Sequence, residues 1–183
     1  GSPSVLKKIK KKITPDSMIK SMKGAVESNI NTKFNIIFGF PGETHFEIFQ
    51  TFLFIIRCAF IGVHDMAIWL FVPYPGSELF NQVRSEGKLK FDDDYFVSLS
   101  VYSDYANSMS WNDNMGPKML KFYRLSGSLI FYIFAYLFRP MRIYYTIRNL
   151  RSGQHESRLE TVLAAFYDRM FKPVNSNNSS EAV

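Results

Sequence analysis

The chain has 183 residues, a hydrophobic content of 46% and a formal net charge of +6, which suits one domain with its own core. The basic excess allows contact with nucleic acid or anionic membranes without establishing either. The single cysteine excludes an internal disulfide and any metal site built from several cysteines of one chain. We therefore expect a reducing, cytoplasmic setting.

The amino-terminal stretch is basic. Lysines dominate residues 5–24, where Asp16 is the one acid. Because this stretch lacks an apolar core segment, it does not match a signal peptide. A short basic helix is predicted over residues 4–12. Thr14 followed by Pro15 then predicts the start of a second helix, with Thr14 as its N-cap.

Strands and helices alternate in the next part of the chain. The segment KFNIIFG is apolar on both faces, which is typical of a parallel strand covered on both sides. Thr44 and Glu47 form a capping box at a helix start, and Ser77 has the position of another N-cap. The alternation favours parallel strands joined by crossover helices. The predicted elements are strands at 33–39 and 65–72 and helices at 45–60 and 78–86.

The second half of the chain has a different pattern. Residues 88–115 are predicted to be irregular, with a short strand or aromatic segment at Tyr95-Phe96-Val97. A mostly helical region follows, in which Ser126-Gly127-Ser128 and Pro140 are expected to interrupt the helix. The predicted carboxyl-terminal elements are this helical region at 118–150, an amphipathic helix at 156–172 and a disordered tail at 173–183.

The longest continuous apolar run is too short for a membrane-spanning helix. It extends from Leu129 to Phe138, whereas a span needs about 20 apolar residues. We therefore expect no transmembrane helix.

Each predicted strand ends in a Pro-Gly turn that leads into a capped helix. In parallel α/β folds, ligands bind at the carboxyl ends of the strands, where such turns lie. Asn35, Ile37 and Gly39 share one face of the first strand by its period of two. If that face points inward, Ile37 would offer an apolar contact for a flat heterocycle beside Gly39. The simpler interpretation is that these turns only join strands to helices.

Several segments resemble one enzyme family. IIFGFPGET resembles the fifth-strand motif of radical S-adenosylmethionine (SAM) enzymes. FVPYPGSELFNQVRSEGKL is similar to the sixth strand and turn of the subgroup with a cobalamin-binding domain, and GSPSVLKKIKKKITPDSMIKSM to the stretch after the fourth strand. KFYRLSG and FRPMRI look like the helical extension of the same subgroup, which includes anaerobic magnesium-protoporphyrin ester cyclase-like and methyltransferase-like members.

The resemblance implies an α/β fold, the carboxyl-terminal portion of a partial (β/α) barrel with a helical extension. Residues 1–90 would supply the last two strands and their helices, and 91–115 an irregular connection. The extension would be 116–172, before the tail at 173–183. The resemblance also implies that residues at two strand ends line the adenosine side of the SAM site. These are Ile37, Gly39, Pro41, Gly42, Glu43, Leu70, Phe71, Val72 and Pro73.

The chain departs from the family at its defining feature. Three cysteines spaced CxxxCxxC hold a [4Fe–4S] cluster in these enzymes, and this chain has only Cys58. No catalytic residue or metal ligand is therefore assigned here. The resemblance implies that a separate or upstream barrel half supplies the cluster, with SAM and, in this subgroup, cobalamin as cofactors. The complete enzyme would act on a hydrophobic substrate such as a tetrapyrrole or lipid, and the chain alone would have no activity.

The aromatic and basic block at 121–151 leaves three interpretations open. It could pack against the missing half, lie on an anionic membrane surface, or bind RNA. Its density of Phe and Ile disfavours nucleic acid. The second hypothesis for the whole chain is accordingly a non-catalytic α/β module that binds a membrane surface or a partner.

Other candidate residues have simpler explanations. The histidines at 45, 64 and 155 show no metal-ligand spacing, so surface or capping roles are expected. Cys58 is expected to be a small buried apolar residue. The acids at 92–94 predict a solvated turn. Glu43 is either a polar ligand contact or an acid in the first helical turn that complements the helix dipole.

Overall fold

A computed structural model of the protein describes residues 1–100, 109–154 and 156–171. Across these ranges the fold is mixed α/β and mostly helical, with a two-stranded parallel sheet. His155, residues 101–108 and the predicted tail at 173–183 lie outside them. The elements are α1 (Pro3–Lys8), α2 (Pro15–Glu27), β1 (Lys33–Phe38), α3 (His45–Ile61), β2 (Asp65–Leu70), α4 (Glu78–Ser85), α5 (Asp93–Ser100), α6 (Pro117–Phe138), α7 (Met141–Ser152) and α8 (Arg158–Phe171).

The two predicted strands are confirmed as neighbours in a parallel sheet. β1 pairs with β2 in a register that sets Lys33 opposite Asp65 and Phe38 opposite Leu70. β1 ends one residue and β2 two residues earlier than predicted, within the usual uncertainty of element boundaries. The connection through α3 makes this a β-α-β unit.

The predicted helix caps are present. Thr14 Oγ1 accepts from the amide of Ser17, and Pro15 occupies the first position of α2. Thr44 and Glu47 form the predicted capping box of α3, because the Thr44 amide donates to Glu47 Oε2 at 2.8 Å and the Glu47 amide to Thr44 Oγ1. Each cap satisfies amides that would otherwise be unpaired in the first helical turn.

The amino-terminal residues are packed against the start of α3. Ser2 is fully buried and its hydroxyl donates to Gln50 Oε1 at 2.7 Å. Ser4 donates to Glu47 Oε1, the same carboxylate that takes part in the α3 capping box. These bonds position α1 beside the first turn of α3, and so beside the turn that follows β1.

The core of the first unit, residues 1–139, lies between the sheet and two helices. α6 packs on both α3 and β2, and α2 packs on α3. His45 meets Tyr123 near the start of both α3 and α6, and Phe60 meets Phe138 at their ends, so the two helices run in the same direction. The buried side chains that fill this layer include Ile36, Phe38, Ile48, Ile55, Ile68, Leu120 and Phe131.

The predicted interruption at Ser126-Gly127-Ser128 is wrong, because α6 runs through it without a break. Gly127 lets α6 approach the core closely: a Cβ there would lie 2.6 Å from Ile68 Cδ1 and 3.2 Å from Phe52 Cε1. Ser128 satisfies its hydroxyl inside the helix by donating to the Arg124 carbonyl. Pro140 does end the helix, as predicted, and α7 begins after it.

The predicted strand or irregular segment at Tyr95-Phe96-Val97 is also wrong, because these residues belong to α5. Asp92 and Asp93 are exposed, as predicted, but they begin a helix and not a turn, because the Asp92 carboxylate accepts from the Tyr95 amide at 3.0 Å. Tyr95 is buried in a second apolar cluster with Phe71, Phe80 and Trp111. Tertiary packing of these rings outweighs the β propensity of the segment.

The second unit begins at Pro140 and contains α7 and α8, which pack on each other. Buried Asn149 of α7 donates to Glu160 of α8 at 3.3 Å. Glu160 also accepts from the amides of Glu156 and Ser157, and so caps α8. The predicted amphipathic helix at 156–172 is confirmed over Arg158–Phe171, and residue 172 lies outside the described residues.

We expect Tyr132→Phe to lower the free energy of unfolding of the first unit by about 2 kcal/mol. The Tyr132 hydroxyl donates at 2.8 Å to Asp65 Oδ1, whose carboxylate is buried at the start of β2. Losing a hydrogen bond to a buried charged group costs about 1.5–3 kcal/mol. Urea unfolding monitored by tryptophan fluorescence would measure the loss.

Tyr74→Phe is the matched control, because Tyr74 is exposed and its change should stay within about 0.5 kcal/mol. Equal stabilities for the two variants would contradict a stabilising role for the Tyr132 hydroxyl. Both tryptophans of the chain, Trp69 and Trp111, lie in the first unit, so their fluorescence reports on that unit.

Candidate functional site

The carboxyl ends of β1 and β2 bring the two predicted site segments together. Phe38 is opposite Leu70, and the Phe71 amide continues the pairing by donating to the Phe38 carbonyl at 2.8 Å. Beyond the strands, the rings of Phe40 and Phe71 lie 5.0 Å apart between centroids. The turn after β1 and the segment after β2 therefore form one surface, in the place where parallel α/β folds bind ligands.

The turn after β1 is organised around the carboxylate of Glu43. Its Oε2 accepts from the Gly39 amide at 2.6 Å and from the Phe40 amide at 3.2 Å, and the side chain is 1% exposed. The interpretation of Glu43 as a first-turn acid is wrong, because Thr44 is the N-cap and the acid in the first turn is Glu47. The Glu43 side chain instead accepts hydrogen bonds from backbone amides of its own turn.

Burial dominates the acid–base behaviour of Glu43. It raises the pKa of the carboxyl from 4.5 to about 7, and the negative charge of Glu47 acts in the same direction. The hydrogen bonds from the Gly39 and Phe40 amides lower the pKa, because they favour the charged form, but they do not offset burial. This carboxyl therefore changes charge near neutral pH.

A second polar residue, Asn112, forms hydrogen bonds with the backbone of the same turn. The Asn112 carboxamide donates to the Phe40 carbonyl and, at 3.0 Å, to the Glu43 carbonyl. Its oxygen accepts from the amides of Asn114 and Met115 just before α6. The Asn114 carboxamide also donates to the Glu43 carbonyl, at 3.1 Å, so two side chains connect the turn after β1 to the entry of α6.

Gly39 adopts a backbone conformation that other residues rarely adopt. Its φ is +87°, and a Cβ at this position would lie 2.8 Å from Leu120 Cδ1 of α6. The space that the missing side chain leaves is therefore filled by Leu120 within the chain. Close approach of a ligand to Gly39 from that direction would need Leu120 to move.

The open surface of the site lies on the face of β1 that carries Asn35 and Ile37. Ile37 is 44% exposed, in contrast to the buried Ile36 and Phe38 of the opposite face. Trp69 is opposite Ile37 in the register, and its indole N–H donates to Asn35 Oδ1 at 3.3 Å. An apolar side chain, an indole and a carboxamide thus border one exposed patch, which would suit a flat heterocycle with polar edges.

The remaining predicted site residues are mostly enclosed by the chain itself. Leu70 belongs to the main core and Phe71 to the second cluster. Pro73 is buried, and its carbonyl accepts from the Tyr95 hydroxyl at 2.6 Å. Val72 is half-buried. In the turn after β1, Pro41 is buried, and the half-buried Gly42 accepts at its carbonyl from Lys8 Nζ at 3.0 Å.

A groove of about 600 Å³ runs along the edge of β1 that does not face β2. Five consecutive residues of β1, 33–37, line it, together with side chains of α1 and α2 and with Phe40 and Glu43. In the described part of the chain no strand pairs with this edge. The groove therefore lies where a further strand would add to the sheet.

Three further residues shape this site without a local sequence signal that points to it. Trp69 lies in a predicted strand. Its position on the same face as Ile37 follows from the register of the two strands, which the sequence alone does not give. Asn112 and Leu120 come from segments predicted as irregular or generically helical. Neither has a local pattern that points to the turn after β1.

The described residues contain no group of three or more His, Cys, Asp or Glu side chains that could hold a metal ion. Cys58 is fully buried in α3, as predicted, and burial raises the pKa of its thiol to about 12. His45 contacts the Tyr123 hydroxyl at 2.7 Å, and His64 accepts from the Thr32 amide. These contacts agree with the capping and surface roles expected of the two residues.

Within the described ranges, no helix has both the length and the apolar character needed to cross a bilayer. Comparison of the chain with protein-family models, with curated proteins and with solved structures returns no match.

Proposed function

We propose that the chain is the carboxyl-terminal segment of a radical SAM enzyme, and that it binds the adenosine side of SAM and lines part of a cavity for a hydrophobic substrate. The proposal rests on the resemblance of three sequence segments in the order expected for that family. The complete enzyme belongs, on this proposal, to the subgroup associated with cobalamin. The chain by itself has no activity.

One observation carries the proposal. The two segments that bear the motifs, Gly39–Glu43 and Leu70–Pro73, follow two parallel, hydrogen-bonded strands and lie side by side at their carboxyl ends. A partial barrel places its ligand at this end of the strands. Ile37 and Trp69 offer apolar surface for an adenine, and Asn35 offers polar atoms at its edge.

The free edge of β1 supports the presence of a further barrel half. Within the described residues β1 is hydrogen-bonded to a strand on one side only, and a groove runs along its other side. Such an edge can pair with an incoming strand. The groove is bounded by α1 and α2, so an added strand would be covered as well as paired. In the proposed enzyme this strand comes from the missing amino-terminal half.

The residues present do not fit an iron–sulfur cluster. A [4Fe–4S] cluster of this family needs three cysteine thiolates, and Cys58 is single and buried. In the family the cluster and SAM together supply radical chemistry, and we assign none of its steps to this chain. What the chain would contribute is the binding and orientation of the adenosine.

The test begins with the gene sequence upstream of this segment, where the proposal expects a CxxxCxxC motif in the same or an adjacent reading frame. The complete protein, reconstituted anaerobically with iron and sulfide and supplied with dithionite as the reductant, should then cleave SAM to methionine and 5′-deoxyadenosine. Ile37→Asn removes an apolar contact of about 1.5–3 kcal/mol, so it should weaken SAM binding by roughly 10- to 100-fold.

Ile30→Asn is the matched control. Ile30 is 56% exposed, similar to Ile37, but precedes β1 and lies outside the site. Unchanged SAM affinity in Ile37→Asn, or an equal loss in Ile30→Asn, would refute the assigned site. The absence of any cysteine motif in neighbouring genes, together with a stable monomeric chain, would favour the non-catalytic α/β module instead.

A further inference from the structure

The outer face of α6 carries a continuous apolar stripe. Its members recur every three or four residues, the spacing of one helix face, and each is between 42% and 66% exposed. The opposite face of α6 packs on α3 and β2. The stripe extends for about 27 Å along the helix, at 1.5 Å per residue. The α6 stripe consists of Met119, Phe122, Leu125, Leu129, Ile133 and Leu137.

α3 carries a second row of exposed apolar side chains. Its residues Phe46, Phe49, Leu53 and Phe60 recur along one face of the helix. Phe60 contacts Phe138 of α6, which is not a member of the α6 stripe, with ring centroids 5.1 Å apart. An apolar surface of this extent on a folded chain marks an interaction site.

The charged residues of α6 have one sign. They are Lys118, Lys121 and Arg124, and Arg124 is fully buried. Lys118, at the amino end of the stripe, is exposed and Lys121 half-buried. In the second unit, α7 likewise presents exposed Arg148 and Arg151 with exposed Tyr144 and Tyr145.

We propose that the α6 stripe lies on an anionic lipid bilayer, with its apolar side chains in the boundary between headgroups and acyl chains and with Lys118 and Lys121 against lipid phosphates. α6 is not apolar enough to span a bilayer, and only its outer face is available, so it lies in the plane of the interface. A segment with basic but no acidic residues favours an anionic surface over a neutral one.

Lipid is the occupant that these observations favour. An RNA-binding face would present more polar and basic residues and fewer aliphatic side chains, whereas the α6 stripe has five aliphatic residues and one aromatic residue. The inference does not depend on the proposed radical SAM function. The stripe faces away from the sheet, so a further strand at the edge of β1 would not cover it.

Flotation with large unilamellar vesicles tests the proposal with the full chain. Vesicles of phosphatidylcholine alone are compared with vesicles containing about 30% phosphatidylglycerol, at low and high salt. We expect flotation with the anionic vesicles and a strong reduction in high salt, because the Debye length falls from about 10 Å at 0.1 M to about 3 Å at 1 M. Aggregated protein sediments in this assay and is distinguished from bound protein.

Variants separate the apolar contribution from the basic one. Leu129→Glu with Ile133→Glu should lower the partition coefficient by about tenfold or more, and Lys118→Gln or Lys121→Gln by about fivefold each. Ile30→Glu and Lys90→Gln are matched controls at exposed positions outside the stripe and should bind as the unchanged chain does. Circular dichroism verifies that each variant is folded.

Three results would overturn the proposal. The first is equal flotation with neutral and anionic vesicles. The second is a loss of flotation in Ile30→Glu as large as the loss in the stripe variant. The third is no flotation of the unchanged chain, and if light scattering then shows a dimer that dissociates when Leu129 and Ile133 are both replaced by Glu, another copy of the chain is the occupant of the stripe.

Discussion

Replacing Gly39 by Ala is expected to lower the free energy of unfolding of the first unit by about 3 kcal/mol. Two effects add. The left-handed φ of +87° costs a residue with a side chain roughly 1–2 kcal/mol. The new Cβ would also lie 2.8 Å from Leu120 Cδ1, and overpacking of a filled core costs about 1–3 kcal/mol. Leu120 is fully buried, so it has little room to withdraw.

Gly76→Ala separates these two effects. Gly76 has the same φ of +87°, but a Cβ there would meet nothing within 4 Å, so its cost should be only the backbone part, roughly 1–2 kcal/mol. Urea unfolding monitored by tryptophan fluorescence gives both values. If Gly39→Ala costs no more than Gly76→Ala, Leu120 does not fill the space beside Gly39.

A double-mutant cycle with Leu120→Ala checks the same contact from the other side. Leu120→Ala alone should cost about 2–5 kcal/mol through the cavity that it leaves. Because this cavity accepts the Cβ that Gly39→Ala introduces, the double variant should be more stable than the sum of the single effects predicts, by about 1 kcal/mol or more. Strict additivity would contradict the contact.

The second large effect is a dependence of stability on pH that comes from Glu43. Its carboxyl has a pKa of 4.5 when unperturbed and about 7 in the folded chain, so the folded state binds the proton more tightly. The stabilisation from this proton is complete below pH 4.5 and is lost as the pH rises through 7. At 1.36 kcal/mol per pKa unit, the loss between about pH 4 and pH 8 is about 3 kcal/mol.

Glu43→Gln should remove this dependence. The Gln carboxamide can accept the same amide hydrogen bonds from Gly39 and Phe40, but it carries no titratable proton. The variant should therefore become more stable relative to the unchanged chain as the pH rises from about 4 to 8. Urea unfolding at pH values across this range measures the difference between the two. A difference that stays constant with pH would show that Glu43 has an ordinary pKa.

The part of the fold that depends on local signals could be predicted from the sequence. The caps at Thr14, Thr44 and Ser77 each depend on residues within three positions of each other, and all are present. The parallel pairing of β1 and β2 follows from a helix of sufficient length between two apolar strands. These features need no knowledge of distant parts of the chain.

The errors arose where distant residues decide the local structure. Tyr95 has high strand propensity, yet it is helical because its ring packs with Phe80 and Trp111 and its hydroxyl reaches Pro73. Gly127 is a weak helix former, yet α6 continues through it because the absent side chain lets the helix approach Ile68. In both cases packing outweighs propensity.

The sequence predicted that the ends of two strands form the candidate site. The contacts of the individual side chains there depend on residues that are distant in the sequence, which local patterns do not identify. Gly39 was predicted to leave space for a ligand, whereas Leu120, far along the chain, fills that space. Glu43 was placed in the first helical turn or on a ligand, whereas it binds amides of its own turn. Trp69 joins the surface of Ile37 through the strand register alone.

Because Cys58 is buried, the reactivity of its thiol can be used to measure unfolding of the first unit. Alkylating reagents react with the thiolate, and the high pKa of this thiol, about 12, together with its burial in α3, protects it while the first unit is folded. Because the chain has one cysteine, each molecule that opens takes up one label, and mass spectrometry counts the labelled fraction. The readout works in turbid vesicle suspensions, where fluorescence and circular dichroism are difficult to interpret.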